Sequence, residues 1–140
     1  MEQLKACYTA YVEAAKKVDK KKNFLDGIFG FGSSAKEHPC HQEFYDGVAA
    51  WCDDFVQTNP TPEQAEEAVR YILQIAEEHR NTLPYWYMYA AHGLARPLIR
   101  LVSPGFAAEM GKWYNSHYSR RDRMPVQQEV FDLLKKQAKS

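Results

Sequence analysis

Leu83-Pro84-Tyr85-Trp86-Tyr87-Met88-Tyr89-Ala90-Ala91-His92-Gly93-Leu94-Ala95-Arg96-Pro97-Leu98-Ile99-Arg100-Leu101-Val102 is the most apolar and aromatic stretch of this chain. A helix that is apolar nearly all round is a buried one, so residues 83–102 are expected to form the central helix of a bundle. Pro97 lies inside that helical pattern, where it removes a backbone donor and crowds the carbonyl four residues back. That carbonyl belongs to Gly93, and a kink or break is expected near residues 93–97. The uncharged run, Leu83 through Ala95, is 13 residues long. A membrane span needs about 20, so none is expected.

Outward from this stretch, helical periodicity recurs on both sides. Leu4, Tyr8, Tyr11, Ala15 and Val18 fall at spacings of three and four, with Cys7 and Val12 widening the stripe. The lysines at 16, 17, 20, 21 and 22 suit the end of that helix, where cations meet the negative end of the dipole. Residues 23–38 show no period and mix glycine with large apolar groups, as in Phe24, Ile28, Phe29 and Phe31. They are expected to form an apolar, Gly-rich loop packed against the domain, since flexible linkers are polar instead. Pro39 opens the next helix, with Phe44, Val48, Trp51 or Cys52, and Phe55 facing inward.

Thr61-Pro62-Glu63-Gln64 combines a capping Thr, Pro at the first helical position and Gln three residues after the cap. Ala65, Ala68, Val69, Ile72, Ile75 and Ala76 then form a buried face. Ser103-Pro104 repeats the cap-plus-Pro start, ahead of Phe106, Met110, Trp113 and His117 on one side. Pro125 begins a last helix carrying Val126, Val130, Leu133 and Leu134. The fold class expected is all-α: one domain over residues 1–140, a bundle of about six helices around a Pro-kinked hydrophobic helix.

The chain balances 18 basic against 18 acidic residues, but the balance is uneven along its length. Residues 1–22 carry six Lys and three acids, for +3. Residues 23–82 carry three bases and eleven acids, for −8, and residues 83–140 carry nine bases and four acids, for +5. An acidic middle against a basic end implies complementarity within the chain, or contacts with another protein or a second copy. Zero net charge argues against nucleic acid as a partner. Three cysteines, Cys7, Cys40 and Cys52, follow no paired spacing and form no disulfide framework. With no basic-then-apolar leader at Met1-Glu2-Gln3-Leu4-Lys5, the expected location is cytoplasmic.

Three places could carry chemistry. His38, Cys40 and His41 precede or open a helix, where dipole and free backbone donors favour a thiolate, and all three are metal-ligand types. Their spacing matches no established metal signature, so no cofactor is expected, a metal ion or reactive thiol being the alternative. Tyr85, Tyr89, His92, Arg96 and Arg100 are spaced four, three, four and four, which sets them on one face of the central helix, opposite Trp86, Ala90, Leu94 and Leu98. That polar edge fits either an internal seam with Asp53, Asp54, Glu66, Glu67, Glu77 and Glu78, or a pocket for a small anionic ligand. The third place, from Trp113 to Arg123, sets aromatics beside arginines. No nucleophile triad, carboxylate pair or nucleotide fingerprint accompanies these. The function expected is therefore a non-enzymatic module that binds a protein partner, itself or a small anionic ligand. A metal- or thiol-dependent enzyme built on His38, Cys40 and His41 is the alternative.

Overall fold

The computed structural model describes residues 1–29, 38–80 and 86–140, with the backbone alone over 19–29. The described residues are helical, with no strand among them. The helices are α1 (Glu2–Phe29), α2 (Pro39–Gln57), α3 (Pro62–Glu78), α4 (Trp86–Ala91), α5 (Arg96–Ile99), α6 (Pro104–His117) and α7 (Pro125–Ala138), with a 3-10 turn (His92–Ala95) joining α4 to α5. The segment from α4 to α5 is the spine, touching α2, α3 and α7.

Local chemistry sets most of these boundaries. Before α3, the Gln64 N–H donates to Thr61 Oγ1 at 3.2 Å and the Thr61 N–H donates to Gln64 Oε1 at 2.9 Å, the reciprocal cap expected from the sequence. Ser103 caps α6 through the Phe106 N–H and also donates its hydroxyl to Glu66 at 2.6 Å, tying α6 to α3. After α2, Asn59 takes a positive φ of 52°, a conformation that asparagine tolerates, and Pro60 follows.

The spine breaks where Pro97 dictates. Proline has no N–H to offer the Gly93 carbonyl, and the backbone there tightens into the 3-10 turn. Arg96 fills the gap: its backbone N–H and its Nε–H both donate to the Gly93 oxygen, the latter at 2.9 Å.

The pairs α1–α2 and α6–α7 are antiparallel. Tyr11 meets His41 and Phe44 while Cys7 lies against Gly47, and Gly111 lies against Leu134 while Arg123 bonds Gln128. Leu4, Tyr8, Tyr11, Val12 and Ala15 of α1, and Ala65, Ala68, Val69, Ile72 and Ala76 of α3, are buried as expected, whereas Cys7, Val18 and Ile75 are half-buried and Leu73 joins the buried face of α3. Full burial of each larger side chain contributes about 1.5–3 kcal/mol.

Three sequence expectations are corrected. Helix α1 continues to Phe29, so residues 23–29 are helix and no loop begins at Asn23. A single Gly27 costs a helix only about 1 kcal/mol, too little to stop it. The lysines at 16–22 consequently sit within the helix, and its last turn holds no basic residue. Residues 30–37, and with them the packing expected of the Gly-rich loop, lie outside the described residues. On α6, Trp113 is only half-buried and His117 is exposed, because the inward stripe runs through Phe106, Ala107, Met110, Gly111 and Tyr114. On the spine, Trp86 was expected on the core-building side but is 44% exposed, whereas Tyr89 and His92 are buried. Trp86 is the first residue of α4, and the inward face of that helix runs through Tyr87, Met88, Tyr89 and Ala91 instead.

Candidate functional site

The polar edge of the spine disperses into three environments. His92 is wholly buried, and its Nδ1 lies 3.0 Å from the Tyr114 hydroxyl of α6. Its Nε2 has no hydrogen-bond partner among the described residues. Desolvation pushes the His92 pKa down from 6.5 to about 3, so the ring is neutral. Burial likewise raises the Tyr114 phenol well above its ordinary value. Around this pair stand Tyr89 and Tyr118, whose rings lie 5.5 Å and 5.6 Å from that of His92. The buried Gln127 side chain lies against Tyr114.

Tyr89 donates to Glu77 at 3.4 Å, and Glu77 also pairs with Arg80. Burial first, and the Glu77 carboxylate second, push the Tyr118 phenol up. Arg96 turns outward to Glu129 of α7, and both side chains of that pair are largely exposed. Arg100 is exposed, and Tyr85 lies outside the described residues. Of the six acids considered as partners for this edge, Glu77 bonds Tyr89, and Glu66 serves Ser103. His92, Arg96 and Arg100 do not converge.

At the start of α2, His38 is exposed and acts as the N-cap, its Nδ1 accepting the Cys40 N–H at 3.1 Å. Cys40 is buried, and His41, also buried, bonds the Tyr11 hydroxyl through Nδ1 at 2.8 Å. The His41 ring stacks on Tyr87 at 4.4 Å with 9° between planes. Among the described residues no group of three or more His, Cys, Asp or Glu is placed to hold a metal ion. Cys52 is pushed up to about 12 by burial and by Asp53 beside it, and so remains a thiol.

Six of the nine tyrosines lie in two internal ring clusters. Tyr8, Tyr11, Phe44, His41 and Tyr87 link α1, α2 and α4, and Tyr89, His92, Tyr114 and Tyr118 link the spine to α6. In the stretch from Trp113 to Arg123, Arg123 is fully engaged. It donates to the Tyr118 carbonyl, Gln128 and Asn115, and lies over the Phe131 ring at 4.1 Å. Arg120 and Arg121 are exposed.

Charge is arranged differently from the rings. Helix α2 contains no Lys or Arg, and its Glu43, Asp46, Asp53 and Asp54 are exposed, as are Glu63, Glu67 and Glu78 of α3. The ion pairs among the described residues are Arg70–Glu109, Arg80–Glu77 and Arg96–Glu129. None joins an acid of α2 or α3 to a base of residues 83–140.

Sequence reasoning missed the partners of His92 and the engagement of Arg123. The signals were present: Tyr114 and Tyr118 continue the Phe106–Met110 stripe at four-residue spacing, and Gln127 stands third after the cap before Pro125. Among the described residues no helix is long and apolar enough to cross a membrane. These residues define an all-helical bundle with a neutral histidine at its centre and acidic outer helices. No family model, curated protein or solved structure matches the chain.

Proposed function

We propose that the chain is a non-enzymatic protein-interaction module, acting in the cytoplasm, whose acidic helices α2 and α3 meet a basic surface on another protein or on a second copy. The observation that carries this reading is the charge left unpaired among the described residues: seven exposed carboxylates on two helices, Glu43, Asp46, Asp53, Asp54, Glu63, Glu67 and Glu78, without an ion pair to the basic C-terminal third. Such a surface steers oppositely charged partners and suppresses like-charged ones. The three free thiols, Cys7, Cys40 and Cys52, favour a reducing setting.

Photo-crosslinking from a reactive amino acid at position 54, in the source cell, tests the reading. Adducts with basic protein surfaces, lost when Asp46 and Asp53 are changed to Lys, support it. Crosslinking indifferent to those two changes overturns it.

A further inference from the structure

We propose that Tyr11 and His41 form a proton-coupled redox pair, with Trp86 as the surface port through which a one-electron oxidant reaches them. A phenol that loses an electron becomes a strong acid, so oxidation is easiest where a base already holds the proton. Tyr11 has this arrangement: its hydroxyl lies 2.8 Å from His41 Nδ1, and both residues are buried.

A continuous aromatic path leads outward from the pair. His41 stacks on Tyr87 with ring centres 4.4 Å apart, and Tyr87 meets Trp86 at 3.7 Å. Trp86 is the large hydrophobic residue exposed to solvent among the described residues. Indole is oxidised about as readily as phenol, so an electron vacancy created at Trp86 can pass inward by ring contact.

On α2 the path does not continue: the ring stacked on Tyr11 there is Phe44, at 4.2 Å, and a phenyl group is far harder to oxidise. Tyr8 lies past Phe44, and its hydroxyl has no hydrogen-bond partner among the described residues to take a proton. A second tyrosine–histidine hydrogen bond among the described residues, Tyr114 with His92, is less suited, because complete burial makes His92 a poor base.

The step balances as follows. One electron leaves by way of Tyr87 and Trp86 to an oxidant such as a peroxyl radical or a high-valent metal complex. The Tyr11 phenolic proton moves to His41 Nδ1. The products are a neutral phenoxyl radical, an imidazolium and the reduced oxidant. One electron from a thiolate, which leaves as a thiyl radical, with return of the proton from His41, restores the pair.

Flash-quench oxidation of the full chain with photogenerated tris(bipyridine)ruthenium(III) tests the proposal, with the tyrosyl radical read by transient absorption and electron paramagnetic resonance. A long-lived neutral tyrosyl signal is expected. It should fall several-fold in Tyr11→Phe, and form more slowly in Trp86→Leu. His41→Asn keeps an acceptor near the Nδ1 position but no base, and should remove the solvent deuterium isotope effect on radical formation. An unchanged yield and rate in Trp86→Leu, a surface change that leaves the fold in place, overturns the proposal. So does an unchanged signal in folded Tyr11→Phe.

Discussion

Gly93 approaches Val126 so closely that a Cβ built on the glycine would stand 2.5 Å from the valine Cγ2. This contact sets the 3-10 turn of the spine against the first turn of α7. Gly93→Ala should cost about 1–3 kcal/mol by overpacking, despite alanine's better helical propensity. Adding Val126→Ala should recover part of that loss, which a double-mutant cycle by urea denaturation would measure. At Gly47 the nearest atom to such a Cβ is Cys7 Sγ at 3.5 Å, an ordinary contact. Gly47→Ala should therefore stabilise, by up to about 1 kcal/mol.

Two buried tyrosines should respond oppositely to loss of the hydroxyl. Tyr114→Phe leaves His92 Nδ1 without its partner inside the core, at an expected cost of about 1–3 kcal/mol. The Tyr8 hydroxyl is buried with no hydrogen-bond partner among the described residues, and burial raises its pKa. Tyr8→Phe should be neutral or stabilising. Paired melting curves of the two variants check the contrast.

His92 should make the fold acid-sensitive. Its pKa is near 6.5 when unfolded and about 3 when folded, so between those values the unfolded chain holds a proton that the folded chain does not. Its contribution is present in full above pH 6.5 and is lost as pH falls towards 3, at up to about 1.4 kcal/mol per pH unit. His92→Asn, which cannot titrate, should flatten the stability profile between pH 6 and 4 relative to wild type. Parallel slopes for the two proteins would contradict this, as would a histidine C2–H resonance for His92 titrating near pH 6.

Arginines that look alike in sequence should differ in weight. Arg123 donates to three oxygens, from Tyr118, Gln128 and Asn115, and covers Phe131. Arg123→Lys discards the planar fork that makes those contacts and should cost about 1–3 kcal/mol. Arg120→Lys at an exposed position should stay within about 0.5 kcal/mol. The Arg96–Glu129 pair is open to solvent, so Glu129→Gln should change stability by less than about 1 kcal/mol and its effect should shrink with added salt.

The fold was legible where a single local rule decides it. Thr61-Pro62 and Ser103-Pro104 start helices because a hydroxyl cap and a missing N–H act within four residues. Pro97 broke the spine because its effect on Gly93 is equally local. What lay beyond the sequence was tertiary. The wheel that set Trp86 on the core side could not say which side of α4 faces inward; Tyr87 packs on His41 and Tyr89 on Tyr118, partners far away in the chain. The polar edge drew expected partners from α2 and α3 by charge, yet His92 found Tyr114 and Arg96 found Glu129, both C-terminal to the spine. Their choice depends on α6 and α7 folding back beside the turn, which no spacing within residues 83–102 encodes. His38 as a cap, by contrast, follows from its place just before Pro39.

The most direct measurement is the size of the particle that the full-length chain forms in native extract, followed through a salt titration. At low ionic strength it should elute well above the monomer mass. It should collapse to the monomer by about 0.5 M salt, where charge is screened beyond a few ångströms. Asp53→Lys with Asp54→Lys and Glu67→Lys should give the same collapse without salt. A monomer at every salt concentration, or a larger particle that neither salt nor the three reversals disturb, would contradict a function seated on the acidic helices.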